Sequence, residues 1–143
     1  MIIWKKKTNL TELNKQLNDN MMSYIGIKIT KIGKNYLEGT MPCNNKTKQP
    51  FGILHGGASV TLAESLGSMA ANLCLNDEYY AVGLEINANH IRSVTKGNVL
   101  GLAKPIHIGK ATQVWNINIY KKDKITCSTR LTMANLKRVV PSY

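Results

Sequence analysis

The sequence predicts an α+β fold: an antiparallel β-sheet packed against one long central helix, with a short helix near the N-terminus. Three observations carry this reading. The run 58–75 is mostly small and apolar and holds a single charge, as a buried helix does. Around it lie roughly six segments in which apolar and polar residues alternate, joined by short polar turns. Connections that short join antiparallel neighbours, and a lone uncharged helix finds its burial on one face of the sheet they make. At 143 residues, 43% apolar and 19% charged, the chain is expected to be one domain spanning 1–143 with a real core.

Residues 8–17 open with Thr8 as a cap, carry Glu12 in the first turn and place Leu10, Leu13 and Leu17 at helical spacing, which predicts a short amphipathic helix. Residues 24–32 alternate, with Ile25, Ile27 and Ile29 on one face and Lys28 and Thr30 on the other. Gly33, Lys34 and Asn35 supply turn chemistry before a second strand at 36–41, so a hairpin is expected. The polar stretch 42–51, with Pro42 and Pro50 near its ends, reads as a loop that delivers the chain to the central helix. After that helix, Asn76, Asp77 and Glu78 break the pattern. Strands are then expected at 81–94, 97–106 and 112–120, the last with Trp115, Ile117 and Ile119 on one face. A turn at 121–124 leads to a final strand at 125–136, where Cys127, Thr129, Leu131 and Met133 share a face, and the whole reads as a meander.

Composition excludes several classes of function. Cys43, Cys74 and Cys127 are odd in number and far apart, so they are read as reduced and structural. His55, His90 and His107 lie in separate segments without metal-ligand spacing, so no metal site and no cofactor are expected. No apolar run is clean enough to span a bilayer, and the start Met-Ile-Ile-Trp-Lys-Lys-Lys lacks the long apolar segment of a secretion signal; a cytoplasmic protein without membrane attachment is expected. A net charge of +11 favours an anionic partner or substrate. The lysines are scattered through turns and chain ends, however, and are not interleaved with aromatics, so a nucleic-acid groove is not expected.

Glu64 is the one formally charged residue between Lys48 and Asp77. In so apolar a helix an ionised carboxylate loses water without gaining a cation. Either it is a base or nucleophile facing a pocket, or it lies on a helix face that reaches solvent or a partner subunit. Gly56 and Gly57 open the helix, where free amides can hold an oxyanion and no side chain blocks a ligand. Ser68 lies one turn beyond Glu64 on the same face. An oxyanion site with a carboxylate suggests acyl transfer. Ser59 and Ser65 have no nucleophile-elbow context, so Glu64 must either activate water or attack the carbonyl itself.

The ordered set Gln49, His55, Gly56, Glu64 and Ser68, within Gln-Pro-Phe-Gly-Ile-Leu-His-Gly-Gly-Ala-Ser and Leu-Ala-Glu-Ser-Leu-Gly-Ser, resembles the hotdog-fold acyl-CoA thioesterases. Stretches 83–90 and 104–110 continue the likeness over nearly the whole chain. The subgroup it most resembles holds the 1,4-dihydroxy-2-naphthoyl-CoA, enterobactin-proofreading and 4-hydroxybenzoyl-CoA thioesterases. The resemblance implies a hotdog fold, an antiparallel sheet wrapped around the central helix. It also implies a homo-oligomer, paired through the sheets as a dimer or as a dimer of dimers, with active sites at the dimer interface. In the role it implies, the Gly56 amide polarises the thioester carbonyl while Gln49 and His55 position the thioester or the departing thiol. Glu64 comes from the neighbouring subunit as general base or nucleophile, and Ser68 holds water or the acyl group. His90, Arg92, Gly109 and Lys110 match positions near the nucleotide end of coenzyme A. Lys110 stands where relatives often have Arg, and a lysine neutralises a phosphate without gripping it bidentately.

The expected activity is therefore hydrolysis of an acyl-CoA, with an aromatic or otherwise bulky acyl group, to free acid and coenzyme A. The competing reading is a hotdog domain that binds acyl-CoA or an acyl carrier protein without turnover. The retained carboxylate at Glu64 speaks against it.

Overall fold

The computed structural model describes residues 1–139, so the last four residues of the expected domain lie outside it. The elements run α1 (Leu10–Lys15), α2 (Met21–Tyr24), β1 (Lys28–Ile32), β2 (Leu37–Cys43), α3 (Gly56–Leu73), β3 (Tyr79–His90), β4 (Gly97–Ile108), β5 (Thr112–Lys121) and β6 (Lys124–Lys137). The strands form a single antiparallel sheet in the order β1-β2-β4-β5-β6-β3, and α3 packs on one of its faces. The expected architecture of one long helix on an antiparallel sheet is what the chain adopts.

Three local expectations are corrected. The first helix is shorter than 8–17, and its cap is Asn9 rather than Thr8: the Asn9 carboxamide oxygen accepts from the Glu12 amide at 3.0 Å. The expected strand at 24–32 begins only at Lys28, because Asn20 caps an extra helical turn over Met21–Tyr24 and Gly26, at φ +82°, turns the chain out of it. Ile25, Ile27 and Ile29 are buried as the alternation implied, although Ile25 reaches the core from that turn. Finally, β4, β5 and β6 form a meander, but β3 crosses to the far edge beside β6, with Gly83 opposite Met133 and His90 opposite Cys127. The helix α3 lies between β2 and β3 in sequence and carries the chain across the sheet, which a reading of short turns alone does not register.

Helix α3 buries Leu62, Ala63, Leu66, Gly67, Ala70 and Ala71 against the sheet. It sits close because the sheet beneath is hollowed by glycine. A Cβ at Gly39 would come 2.7 Å from one Leu66 methyl, and a Cβ at Gly101 would come 2.5 Å from the other. The far end of α3 is tied to β3 by Asn72, whose carboxamide donates to the Ala81 carbonyl at 3.0 Å and accepts from the Ala81 amide at 2.9 Å. That pair holds the edge strand against the helix, and both carry parts of the site described below.

All three cysteines are free and buried. Burial pushes the Cys74 thiol up to about 12, with Lys5 pulling weakly the other way, and burial raises Cys127 too. An unfolded cysteine ionises near ~8.5, so between that value and the raised one the folded chain holds more protons than the unfolded chain. The stability these thiols contribute is present below ~8.5 and is lost as pH rises toward 12. Denaturant midpoints measured at pH 7.5 and 10 are expected to fall more steeply for the wild type than for Cys74→Ala. Parallel slopes would contradict the assignment.

Candidate active site

The residues singled out by sequence fall into two separate clefts. The first, of about 300 Å³, is lined by Gln49, Leu54, Gly56, Ser59, His90 and Arg92, among others. It lies where the 42–55 loop meets the end of β3: Leu54 donates its amide to the Val94 carbonyl at 2.7 Å, and a bridge pairs Lys48 with Leu54. Within that loop the Gln49 carboxamide oxygen accepts from the Phe51 amide at 2.8 Å, and the Gln49 amide donates to the Ile53 carbonyl at 2.9 Å. The glutamine is thereby fixed at the mouth of the cleft.

Gly56 is the first residue of α3, and its amide has no partner among the described residues. The next three helix amides are occupied. Gly57 donates to the His55 imidazole Nδ1 at 2.8 Å, and Ala58 and Ser59 donate to the His55 carbonyl. The free positive end of an 18-residue helix is thus concentrated on one N–H. His90 lies so close to Gly56 that a Cβ there would sit 2.7 Å from the imidazole Nε2, and any larger residue would have to displace that ring. His55 caps the helix and turns its ring away, into a neighbouring cleft lined by Lys46, Lys48 and Gly57. Arg92 is tied to β6, its guanidinium donating to the Ile125 carbonyl at 2.6 Å.

The second cleft, of about 600 Å³, lies between α2 and α3 and contains Glu64 and Ser68. Met21, Met22, Met69 and Leu73 supply apolar wall, and Thr61, Ser65, Asn72, Gln16 and Lys6 supply polar groups. The sequence implied that Glu64 is stripped of water in a buried helix; in the single chain it is exposed. The reason is the helix face: 62, 63, 66, 67 and 70 point at the sheet, whereas 61, 64, 65 and 68 point along its edge. The Glu64 carboxylate lies above β3, 3.2 Å from where a Cβ on Gly83 would stand.

Gly109 and Lys110 belong to neither cleft. They form the β4–β5 turn, closed by the Gly109 amide on the Thr112 carbonyl at 2.9 Å and held by Asn135, which donates to both of their carbonyls. Since Asn135 pairs with Ala81 and Cys127 with His90, this turn stands at the Glu64 end of the sheet, about 26 Å along β6 from His90. Sequence reasoning passed over Ser59 except to exclude it as a nucleophile. The one-turn step from Gly56 was the available signal for its place in the first cleft.

The sheet curved against a single long helix is the hotdog fold. A model of the thioesterase superfamily matches residues 51–128. The chain is 52% identical over 136 residues to the 1,4-dihydroxy-2-naphthoyl-CoA hydrolase of Escherichia coli (strain K12), covering 94% of this chain and all of that protein. It is 45% identical to the proofreading thioesterase EntH of Cronobacter sakazakii, covering 94% of this chain and 99% of the relative. The crystal structure of a thioesterase from Haemophilus influenzae superposes with a TM-score of 0.92 at 45% identity, covering 94% of this chain and 95% of that one. The chain belongs to the thioesterase superfamily and is a thioester hydrolase. Among the described residues, no helix is long and apolar enough to cross a membrane and no group of three or more metal-ligating side chains gathers.

Proposed function

We propose that the protein is a cytoplasmic acyl-CoA thioesterase acting on aromatic or otherwise bulky acyl groups, and that its active site joins the two clefts across a pair of chains. The observation that carries this reading is their separation: the amide that would polarise a carbonyl and the carboxylate that would drive attack open into different clefts, eight residues or about 12 Å apart along α3. Gly83, under Glu64, and His90, against Gly56, are about 20 Å apart along β3, six register steps on β6 because β3 bulges between Gly83 and Glu85. β3 is an edge strand of twelve residues, and an open edge of that length is a template for pairing. If two copies pair antiparallel about an axis between Ile86 and Asn87, Gly83 comes opposite the partner subunit's His90 and Ala81 opposite the partner subunit's Arg92. Glu64 of one protomer then faces Gln49, Gly56 and His90 of the other. The same operation brings Gly109 and Lys110 of one protomer toward Arg92 of its partner, assembling the cationic set for coenzyme A phosphates.

In this arrangement the thioester oxygen sits on the Gly56 N–H and Gln49 orients the substrate. Glu64 either takes a proton from the attacking water or attacks the carbonyl itself, with Ser68 holding water or acyl group beside it. The apolar half of the larger cleft, with its three methionines, suits a bulky acyl group. Acyl-CoA is the proposed substrate, with an acyl carrier protein as a second donor of the same thioester.

The test is complementation. Glu64→Ala and Gln49→Ala are each expected to be nearly inactive, and mixing them under conditions that exchange subunits is expected to restore about a quarter of wild-type specific activity. Half of randomly assorted dimers pair the two variants, and each of those carries one intact site. No recovery despite exchange would mean that the site lies within one chain; inactivity of the wild type on every acyl-CoA would favour a binding protein.

A further inference from the structure

The hydrolysis proposed above leaves one polar atom of the substrate without a partner. As the carbon–sulfur bond breaks, its electron pair moves onto sulfur, and a thiolate forms inside the cleft that holds Gln49 and Gly56. His55 is directed elsewhere: its Nδ1 accepts from the Gly57 amide as the cap of α3, and its ring lines a different cleft. We propose that the Ser59 hydroxyl donates a hydrogen bond to the departing sulfur; this rests on the thioesterase reading of the same site.

Four observations converge on Ser59. It is only 5% exposed, yet it lines the Gly56 cleft. Its hydroxyl has no hydrogen-bond partner among the described residues, whereas the nearby hydroxyls of Thr61 and Ser65 are folded back onto helix carbonyls at 2.9 and 2.6 Å. It stands one turn after Gly56 on the same helix, with side-chain positions about 5–6 Å apart, a span that a thioester bridges when its oxygen is on the Gly56 N–H. Finally, the helix amides from Gly57 to Ser59 are already taken, so Gly56 N–H and Ser59 O–H are the two donors that this end of α3 still offers. One fits the carbonyl oxygen and the other the sulfur. Water contributes its hydroxyl to the acyl carbon, and the remaining proton goes to the thiolate, giving free acid and thiol.

A donor on sulfur matters in proportion to how poor the leaving group is. Coenzyme A departs as an alkyl thiolate, at least as basic as the cysteine thiolate; a nitrothiophenolate is far less basic and needs little help. The experiment compares wild type, Ser59→Ala and Glu64→Ala on the pantetheine thioester and the 4-nitrothiophenyl thioester of one aromatic acid. Ser59→Ala is expected to lower kcat on the pantetheine ester about 10–100-fold, the size of one charge-assisted hydrogen bond, and on the nitrothiophenyl ester less than about 3-fold. KM for both is expected to hold. Alanine favours the helix at this position, and circular dichroism verifies that the variant is folded. An equal fall on both esters would reduce Ser59 to a packing role, and no fall on either would remove it from the reaction. If wild type and Glu64→Ala turn over the pantetheine ester alike, the site assignment itself fails, and with it this proposal.

Discussion

Glu64→Ala is expected to lower kcat for acyl-CoA hydrolysis by about 10²–10⁴-fold, the range a general base supplies, while the protein folds as the wild type does. Both halves of that expectation follow from where the side chain lies. Glu64 is exposed on the single chain and makes no hydrogen bond or ion pair among the described residues, the one ion pair there being Lys6 with Asp77. Alanine is the better helix former, so the fold loses nothing by the change. The function loses the one carboxylate in either cleft. Glu64→Gln keeps the shape without the charge and is expected to be nearly as slow, since neither proton abstraction nor nucleophilic attack survives. Because the proposed mechanism has Glu64 act on the reacting carbon rather than on the coenzyme, KM is expected to change little. Thiol release from a panel of aromatic and straight-chain acyl-CoA substrates measures the effect and identifies the acyl class together. A Glu64→Ala protein as fast as the wild type on the best substrate would sink the mechanism.

Much of this was legible in the sequence, and the parts that were not have a common physical cause. The alternation of Trp115, Ile117 and Ile119 and of Cys127, Thr129, Leu131 and Met133 fixed the buried face of two strands, because side chains on a strand have a strict period of two. The apolar run with one charge marked α3, and Gly56 with Glu64 marked the candidate site. What periodicity does not encode is which strands are neighbours. Nothing local in residues 79–90 distinguishes a strand beside β4 from one carried by α3 to the outer edge beside β6. That one topological fact shapes the proposed site, since among the described residues it leaves β3 unpaired on one side, with Glu64 above Gly83 and Gly56 beside His90. The same limit explains Glu64: its exposure depends on how α3 is rotated over the sheet, which Gly39 and Gly101 set by admitting Leu66. The proposed role of Ser59 was hidden for a related reason, because a helical serine is unremarkable until its neighbours Thr61 and Ser65 are seen to have satisfied their hydroxyls and it has not.

Trp115→Ala is expected to produce the largest loss of stability of any single change in the described core, about 3–5 kcal/mol. Trp115 is fully buried on β5, its ring stacked on Trp4 with centroids 6.4 Å apart and planes 5° from parallel. Its indole N–H donates to the Gln113 carboxamide oxygen at 3.1 Å, and Gln113, also fully buried, donates in turn to the Ala71 carbonyl at 3.1 Å and to the Asn135 side chain at 2.9 Å. Asn135 then holds the turn that carries Gly109 and Lys110. Removing the indole therefore opens a cavity beneath Trp4 and leaves a buried amide oxygen without its donor, two penalties that add. Trp115→Phe separates them: it keeps most of the ring and loses only the N–H, and about 1–3 kcal/mol is expected. In a chain of this size 3–5 kcal/mol corresponds to a fall in Tm of roughly 10–15 °C, read by thermal melting of both variants beside the wild type. The network also predicts where the damage travels. With Gln113 released, the last turn of α3 and the Lys110 turn lose a shared anchor, so KM for coenzyme A thioesters is expected to rise in Trp115→Phe while kcat, which the proposed mechanism assigns to Glu64 and Gly56, holds. A Trp115→Phe protein with wild-type Tm and wild-type KM would mean that the indole N–H bond contributes nothing and that packing alone fixes this end of the helix.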